Sequence, residues 1–231
     1  MTMLSVHMVQ HMVLMMIAPV FLALGGPILL ALRALRPAPR GERGLREWLL
    51  AATHSRVARF LTHPLVALAL FVTGPVAMRN HTGHVLMSLH LLLTGYLFYD
   101  VLLGLDPLPR RPIYIARIGL QFAAIAIHAF FGLAVMESAR LIAGGYYRTL
   151  AADIPWLPDT LADQRMAGQI TWGFGELPGL LVIGLLVFQW SRSDEREARR
   201  FDRREGDAEA ERIAYNAYLA QLNERARQRD G

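Results

Sequence analysis

From Leu4 to Leu32 the chain carries no acidic residue, and its only titratable side chains are two histidines. A helix over the whole apolar block, Leu4 to Leu35, would reach on the order of 48 Å at ~1.5 Å per residue, against ~30 Å of bilayer hydrocarbon. The block must therefore break, and Gly25-Gly26-Pro27 supplies the break. A first membrane span is expected at 4–24, kinked at Pro19, followed by a short interfacial helix at 28–36. Further apolar stretches predict spans at 60–78, 84–104, 113–137 and 168–190. The expected fold class is all-α, a polytopic membrane bundle of about five transmembrane helices over 1–191. A charged helical tail follows over 192–231, mixing signs at helical spacing as a solvated or membrane-surface helix does.

The arginines orient this bundle. The 33–59 connection holds seven of them (Arg33, Arg36, Arg40, Arg43, Arg46, Arg56 and Arg59). Arg110, Arg111 and Arg117 lie in 105–117, and Arg192, Arg196, Arg199 and Arg200 begin the tail. The 79–83 turn has Arg79 alone, and the 138–167 connection sets Arg140, Arg148 and Arg165 against Asp153, Asp159 and Asp163. The positive-inside rule then places the Arg-rich connections and the C-terminus in the cytoplasm, and all five spans alternate without conflict. The N-terminus falls outside with no basic region ahead of it. That points to the C-terminal part of a longer membrane protein, or to a missing upstream span. The net charge of +5 is explained by these loops, so the lipid bilayer is the expected partner and nucleic acid is not. Cysteine is absent, which removes disulfides, thiolate metal sites and thiolate nucleophiles. No phosphate loop, serine elbow or paired-carboxylate motif is present, so enzymatic activity is not expected.

Chemistry must then come from histidine and methionine. In SVHMVQHMVLMM, His7 and His11 are four apart and share a helix face, with Met8 and Met12 on the adjoining face and Met15 and Met16 a turn deeper. Imidazole beside thioether suits copper, Cu(I) above all. Methionine also fills helix interfaces without any ligand role. In the third span His84 and His90 are six apart and point to different faces, with Met87 three from each; His81 precedes the helix and is expected to face water. His11, His90, His128 and Glu176 lie at a similar depth on four different spans, which suggests one shared polar site, since ionisable groups in a membrane are costly and usually paired. The candidate metal ligands are His7, His11, His84, His90, His128, Glu176, Met8, Met12 and Met87. Asp100 is expected to pair with an arginine of 105–117, and His54 and His63 to be interfacial on the cytoplasmic side.

HMVQHMVLMMIAPV, GGPILLALRAL and TGYLFYDVLLGLDPLPRR, with HAFFGLAVM, LADQRMAGQITWGFGELP and QWSRSDEREARR, resemble the CtaG family of cytochrome c oxidase assembly factors in its actinobacterial branch. The resemblance covers nearly the whole chain. It implies a bacterial plasma-membrane protein that helps mature a haem–copper oxidase by handling copper. Oxidase subunits are the implied partners, as is an upstream copper-resistance protein D-like membrane domain of which this chain would be the second part. His7 and His11 match the first-span histidines of the family pattern, and His90 the one before the third-span Thr-Gly. His128, Asp163, Gln164, Trp172 and Glu176 lie in matching segments. Two other readings stay open: a metal-free scaffold for oxidase assembly, and an electron carrier with haem between His11 and His90 or His128.

Overall fold

A computed structural model describes residues 3–39, 42–73, 81–109, 111–142 and 159–227. Arg40, Arg79, Arg110, Arg148 and Asp153 of the orientation argument, and the side chain of His81, lie outside the described residues. Among the described residues all regular structure is helical: α1 (Leu4–Met12), a π-helical turn (Val13–Ile17), α2 (Ala18–Gly25), α3 (Pro27–Ala34), α4 (Leu45–Thr53), α5 (Arg56–Leu61), α6 (Pro64–Val72), α7 (His81–Leu103), α8 (Tyr114–Glu137) and α9 (Thr160–Arg227). Among the described residues four stretches are long and apolar enough to cross a membrane, Leu4–Ala34, Thr82–Leu103, Tyr114–Glu137 and Thr160–Ala220. The chain is an all-α membrane protein. Of the expected span at 60–78, α5 and α6 are seen, and its end at 74–78 lies outside the described residues.

The expected break falls at Gly26, whose φ of 56° is the left-handed conformation that glycine adopts without penalty, with Pro27 opening α3. Pro19 acts one turn before its own position. Lacking an N–H, it offers nothing to the Met15 carbonyl; Ala18 N–H bonds back to Val13 O, and the turn widens to π geometry.

Two compact units divide at residue 187. In Met1–Leu186, glycines set the closest helix approaches. A Cβ on Gly95 of α7 would stand 2.5 Å from Met15 O and 2.7 Å from Pro19 Cγ, so α7 meets the first span backbone to backbone. Gly132 and Gly168 do the same for α8 and α9, each Cβ position lying 2.7 Å from a backbone atom of the other helix. Along α8 the buried residues Arg117, Leu120, Gln121, Ala124, His128, Gly132 and Val135 recur at three- and four-residue spacing, while Phe122, Phe130 and Phe131 are exposed, as side chains facing lipid would be. Phe71 of α6 stacks on Phe98 of α7 at 4.4 Å between ring centroids, with Tyr99 edge-on to both. The second unit, Val187–Gly231, is a highly exposed charged helix as far as it is described, with Arg192 stacked over Phe188 and one surface ion pair, Arg212–Glu209.

The arginine end of the first unit, where α3, α7 and α8 meet the 104–113 connection, is closed by hydrogen bonds. Buried Asp106 accepts Leu29 N–H (2.7 Å), Ile28 N–H (3.4 Å) and the Tyr96 hydroxyl (2.5 Å), so its carboxylate caps the start of α3. Arg117, also buried, donates to Leu102 O (3.2 Å) at the end of α7 and to Pro112 O (2.7 Å) just before α8. Gly104, at φ 63°, turns the chain there, and a side chain on it would press into the Arg117 guanidinium. The expected pairing of Asp100 with a loop arginine is seen as electrostatic range to Arg111 without a hydrogen bond, and Arg110 lies outside the described residues. Asp100 Oδ1 accepts Asp106 N–H at 3.3 Å, and among the described residues no guanidinium bonds to it. The tight turn after α7 brings a backbone donor to the carboxylate, and Arg111 is left to bond Asp106 O (3.5 Å).

Candidate metal-handling site

At the opposite, histidine end, α9 holds the bundle together through two adjacent side chains. Asp163 accepts Leu4 N–H (2.6 Å), Ser5 N–H (3.3 Å) and Ser5 Oγ–H (2.5 Å), capping the first turn of α1. Its neighbour Gln164 accepts Ile142 N–H at 2.7 Å. Its amide N–H groups donate to Ser138 O (3.2 Å), Arg140 O (3.1 Å) and Val135 O (3.4 Å), finishing α8. The helix that carries His7 and His11 and the helix that carries His128 are thus referenced to one point on a third.

The histidines form two levels along α1. His7 of α1 and His84 of α7 face each other with ring centroids 5.8 Å apart. One turn deeper, His11 lies within electrostatic range of both His7 and His128. His128 is buried, packs against Phe71 (centroids 5.3 Å apart), and donates its Nδ1–H to Ala124 O at 2.9 Å. A carbonyl only accepts, so neutral His128 keeps its lone pair on Nε2, the arrangement by which metal-binding histidines are commonly oriented. Met8, Met12, Met15 and Met16 are all buried, as is Met87 of α7.

His90 goes elsewhere. Its Nε2 bonds the Thr73 carbonyl at 2.9 Å, satisfying an acceptor at the end of α6. Glu176 is half-buried and follows Gly175, the α9 residue facing His128. Among the described residues no three His, Asp or Glu side chains come together as a metal-ligand set. Of the expected four-helix layer, His11 is within electrostatic range of His128, His90 is bonded to Thr73, and the imidazole pair in ring contact is His7 with His84. His54, as expected of a surface group, is exposed and bonds within its own helix end, to Leu50 O at 2.9 Å.

Among the described residues four buried polar atoms have no hydrogen-bond partner: Tyr99 Oη, both side-chain polar atoms of Gln121, and Gln10 Oε1, the last on α1 between His7 and His11. Tyr99 and Gln121 are fully buried and neighbour one another without a bond of acceptable geometry. The sequence signal for Gln121 was available, a lone amide in the apolar run GLQFAAIAIHAFFGL.

The model of the family described as cytochrome c oxidase caa3 assembly factor (Caa3_CtaG) matches residues 1–193. The chain belongs to this family. Uncharacterized proteins of Mycobacterium bovis and Mycobacterium tuberculosis are 46% identical to it over 96% of its length and 35% of theirs, and one of Mycobacterium leprae is similar to the same extent. The chain thus spans about a third of the length of these curated relatives. No solved structure matches.

Proposed function

We propose that this chain is a non-catalytic assembly factor that takes up Cu(I) at its histidine end and passes it toward a haem–copper cytochrome c oxidase. The family supports the oxidase. The metal reading is carried by the two-level arrangement of His7–His84 and His11–His128 on a thioether-lined helix. Imidazole pairs with sulfur and no converging carboxylates suit the linear or trigonal coordination of Cu(I) better than a hard, oxygen-rich cation site. Histidines held at successive turns offer an ion a series of weak, exchangeable seats, which a carrier needs and a storage site does not. Under the positive-inside rule this end faces out of the plasma membrane, and the Arg-rich loops and the C-terminus face the cytoplasm. Oxidase subunits are the receiving partners. An upstream copper-resistance protein D-like domain is the natural neighbour, given relatives so much longer than this chain.

The test is anaerobic titration of the purified protein with Cu(I) against a chromophoric chelator, beside oxidase copper content in cells carrying His7→Ala with His11→Ala. Bound Cu(I) in the wild type and a copper-poor oxidase in the variant strain are expected. No bound Cu(I) together with normal oxidase copper would overturn the proposal, and a Soret band on the purified protein would turn it toward the haem reading.

A further inference from the structure

We propose that the deeper seat is a trigonal site made by His11, His128 and the thioether of Met16, with Gly175 keeping the space open; this rests on the Cu(I) reading above. In a regular α-helix residue i+5 sits about 140° around the axis from residue i, so Met16 would point well away from His11. The π turn changes that. Its hydrogen bond runs from Ala18 N–H to Val13 O, five residues back, and the added residue in the turn swings Met16 toward the face of His11. Such bulges are frequent at functional sites, and this one is maintained by Pro19, which has no N–H to restore α geometry.

From the other side, a Cβ built on Gly175 would lie 3.7 Å from His128 Cβ and 3.9 Å from both Sδ and Cε of Met16. The Cβ of His128 and the sulfur of Met16 therefore border the same spot on α9, one that any larger side chain would fill. The Ala124 carbonyl holds His128 in the tautomer whose Nε2 has the free lone pair. Met16 is fully buried, so its sulfur is screened from water. Two imidazole nitrogens and one thioether sulfur in a dry site favour Cu(I) and disfavour oxidation to Cu(II), which prefers tetragonal nitrogen and oxygen ligands. The His7–His84 pair one turn nearer the end of the bundle is then the entry, and the ion moves inward by exchanging one imidazole at a time.

The experiment is copper K-edge absorption spectroscopy on the full chain in detergent, loaded with one equivalent of Cu(I), with chelator competition on the same samples. The wild type is expected to show nitrogen ligands and one sulfur. Met16→Leu, close to isosteric, should lose the sulfur and bind at least tenfold more weakly, while Met12→Leu keeps both. Gly175→Leu should weaken binding with all three ligands present, and His84→Ala should leave the sulfur in place. Sulfur retained in Met16→Leu, or none in a wild type that does bind Cu(I), would refute the Met16 seat and leave the broader reading standing. A wild type that binds no Cu(I) would remove both. Thermal melts of each variant separate lost binding from lost fold.

Discussion

The two ends of the first unit each cap a helix with a buried carboxylate but differ in what surrounds that cap. At the arginine end, the Asp106 carboxylate receives three donors, Asp100 receives the Asp106 N–H, and Arg117 covers two carbonyls. At the histidine end Asp163 and Gln164 are bonded as well, but His7 and His84 face one another, the methionines of α1 are buried, and Gln10 keeps an oxygen without a partner among the described residues. A buried polar group whose bonds are all made stabilises the fold, whereas one left open costs stability. The difference therefore lies in what stands beside the bonded groups: at the histidine end, imidazoles and thioethers that the proposed function assigns to a ligand.

Substitutions can break that division, and the largest effect is expected where it is mechanical. Gly132→Leu drives a side chain into the α9 backbone, its Cβ already 2.7 Å from Trp172 N, and should leave little folded protein by size-exclusion chromatography in detergent. Asp106→Ala comes next. It strips the cap of α3 and the partner of a Tyr96 hydroxyl, and should destabilise by about 3 kcal/mol in chemical denaturation, with Cu(I) affinity of the folded fraction unchanged. Asp163→Ala should cost about 1–2 kcal/mol as a lost cap. Unlike Asp106→Ala, it should also weaken Cu(I) binding, because α1 loses its reference to α9; equal Cu(I) affinities in the two variants would erase the comparison. Gln121→Leu removes an unpartnered amide and should be neutral or stabilising by about 1 kcal/mol, which a thermal melt would show.

The smallest effect lies outside the spans. Glu47 is held below the ordinary carboxylate range by its own backbone N–H and that of Ala38, with Gly44 N–H adding to them. A depressed folded-state value contributes stability above the unfolded value of ~4.3 that is lost as pH falls through the folded one. Acidification below about pH 4 should therefore shift the Ala38 and Gly44 amide resonances and loosen the start of α4, and Glu47→Gln should abolish the shift.

Much of the scaffold could be read from the residues because its causes are local. Gly26 and Pro27 break the first apolar block where left-handed geometry is cheap, and the described span boundaries follow from apolar runs between loops. The shared face of His7 and His11 and the divergence of His84 from His90 follow from helical period alone. What escaped reading depends on which helices touch. His90 bonds a carbonyl 17 residues back, Asp163 and Ser5 are 158 residues apart, and Met16 comes beside His128 through a π turn and a glycine on a third helix. A common depth for four ionisable groups said nothing of their rotation about four separate axes. That is why His11 and His128 are brought within range while His90 is bonded to Thr73.

The Asp163 cap also sets an order of assembly. When α1 leaves the ribosome its first-turn donors have no carboxylate to meet, because the one that caps them is encoded 158 residues later. At ~5–20 residues per second that is an interval on the order of 10–30 s, during which α1 and α7 are already in the bilayer and their histidines are not yet aligned with α8. The tie between α1 and α9 is thus made late in biosynthesis, and on the proposed function a nascent copy would lack the geometry to hold the ion before the bundle has closed.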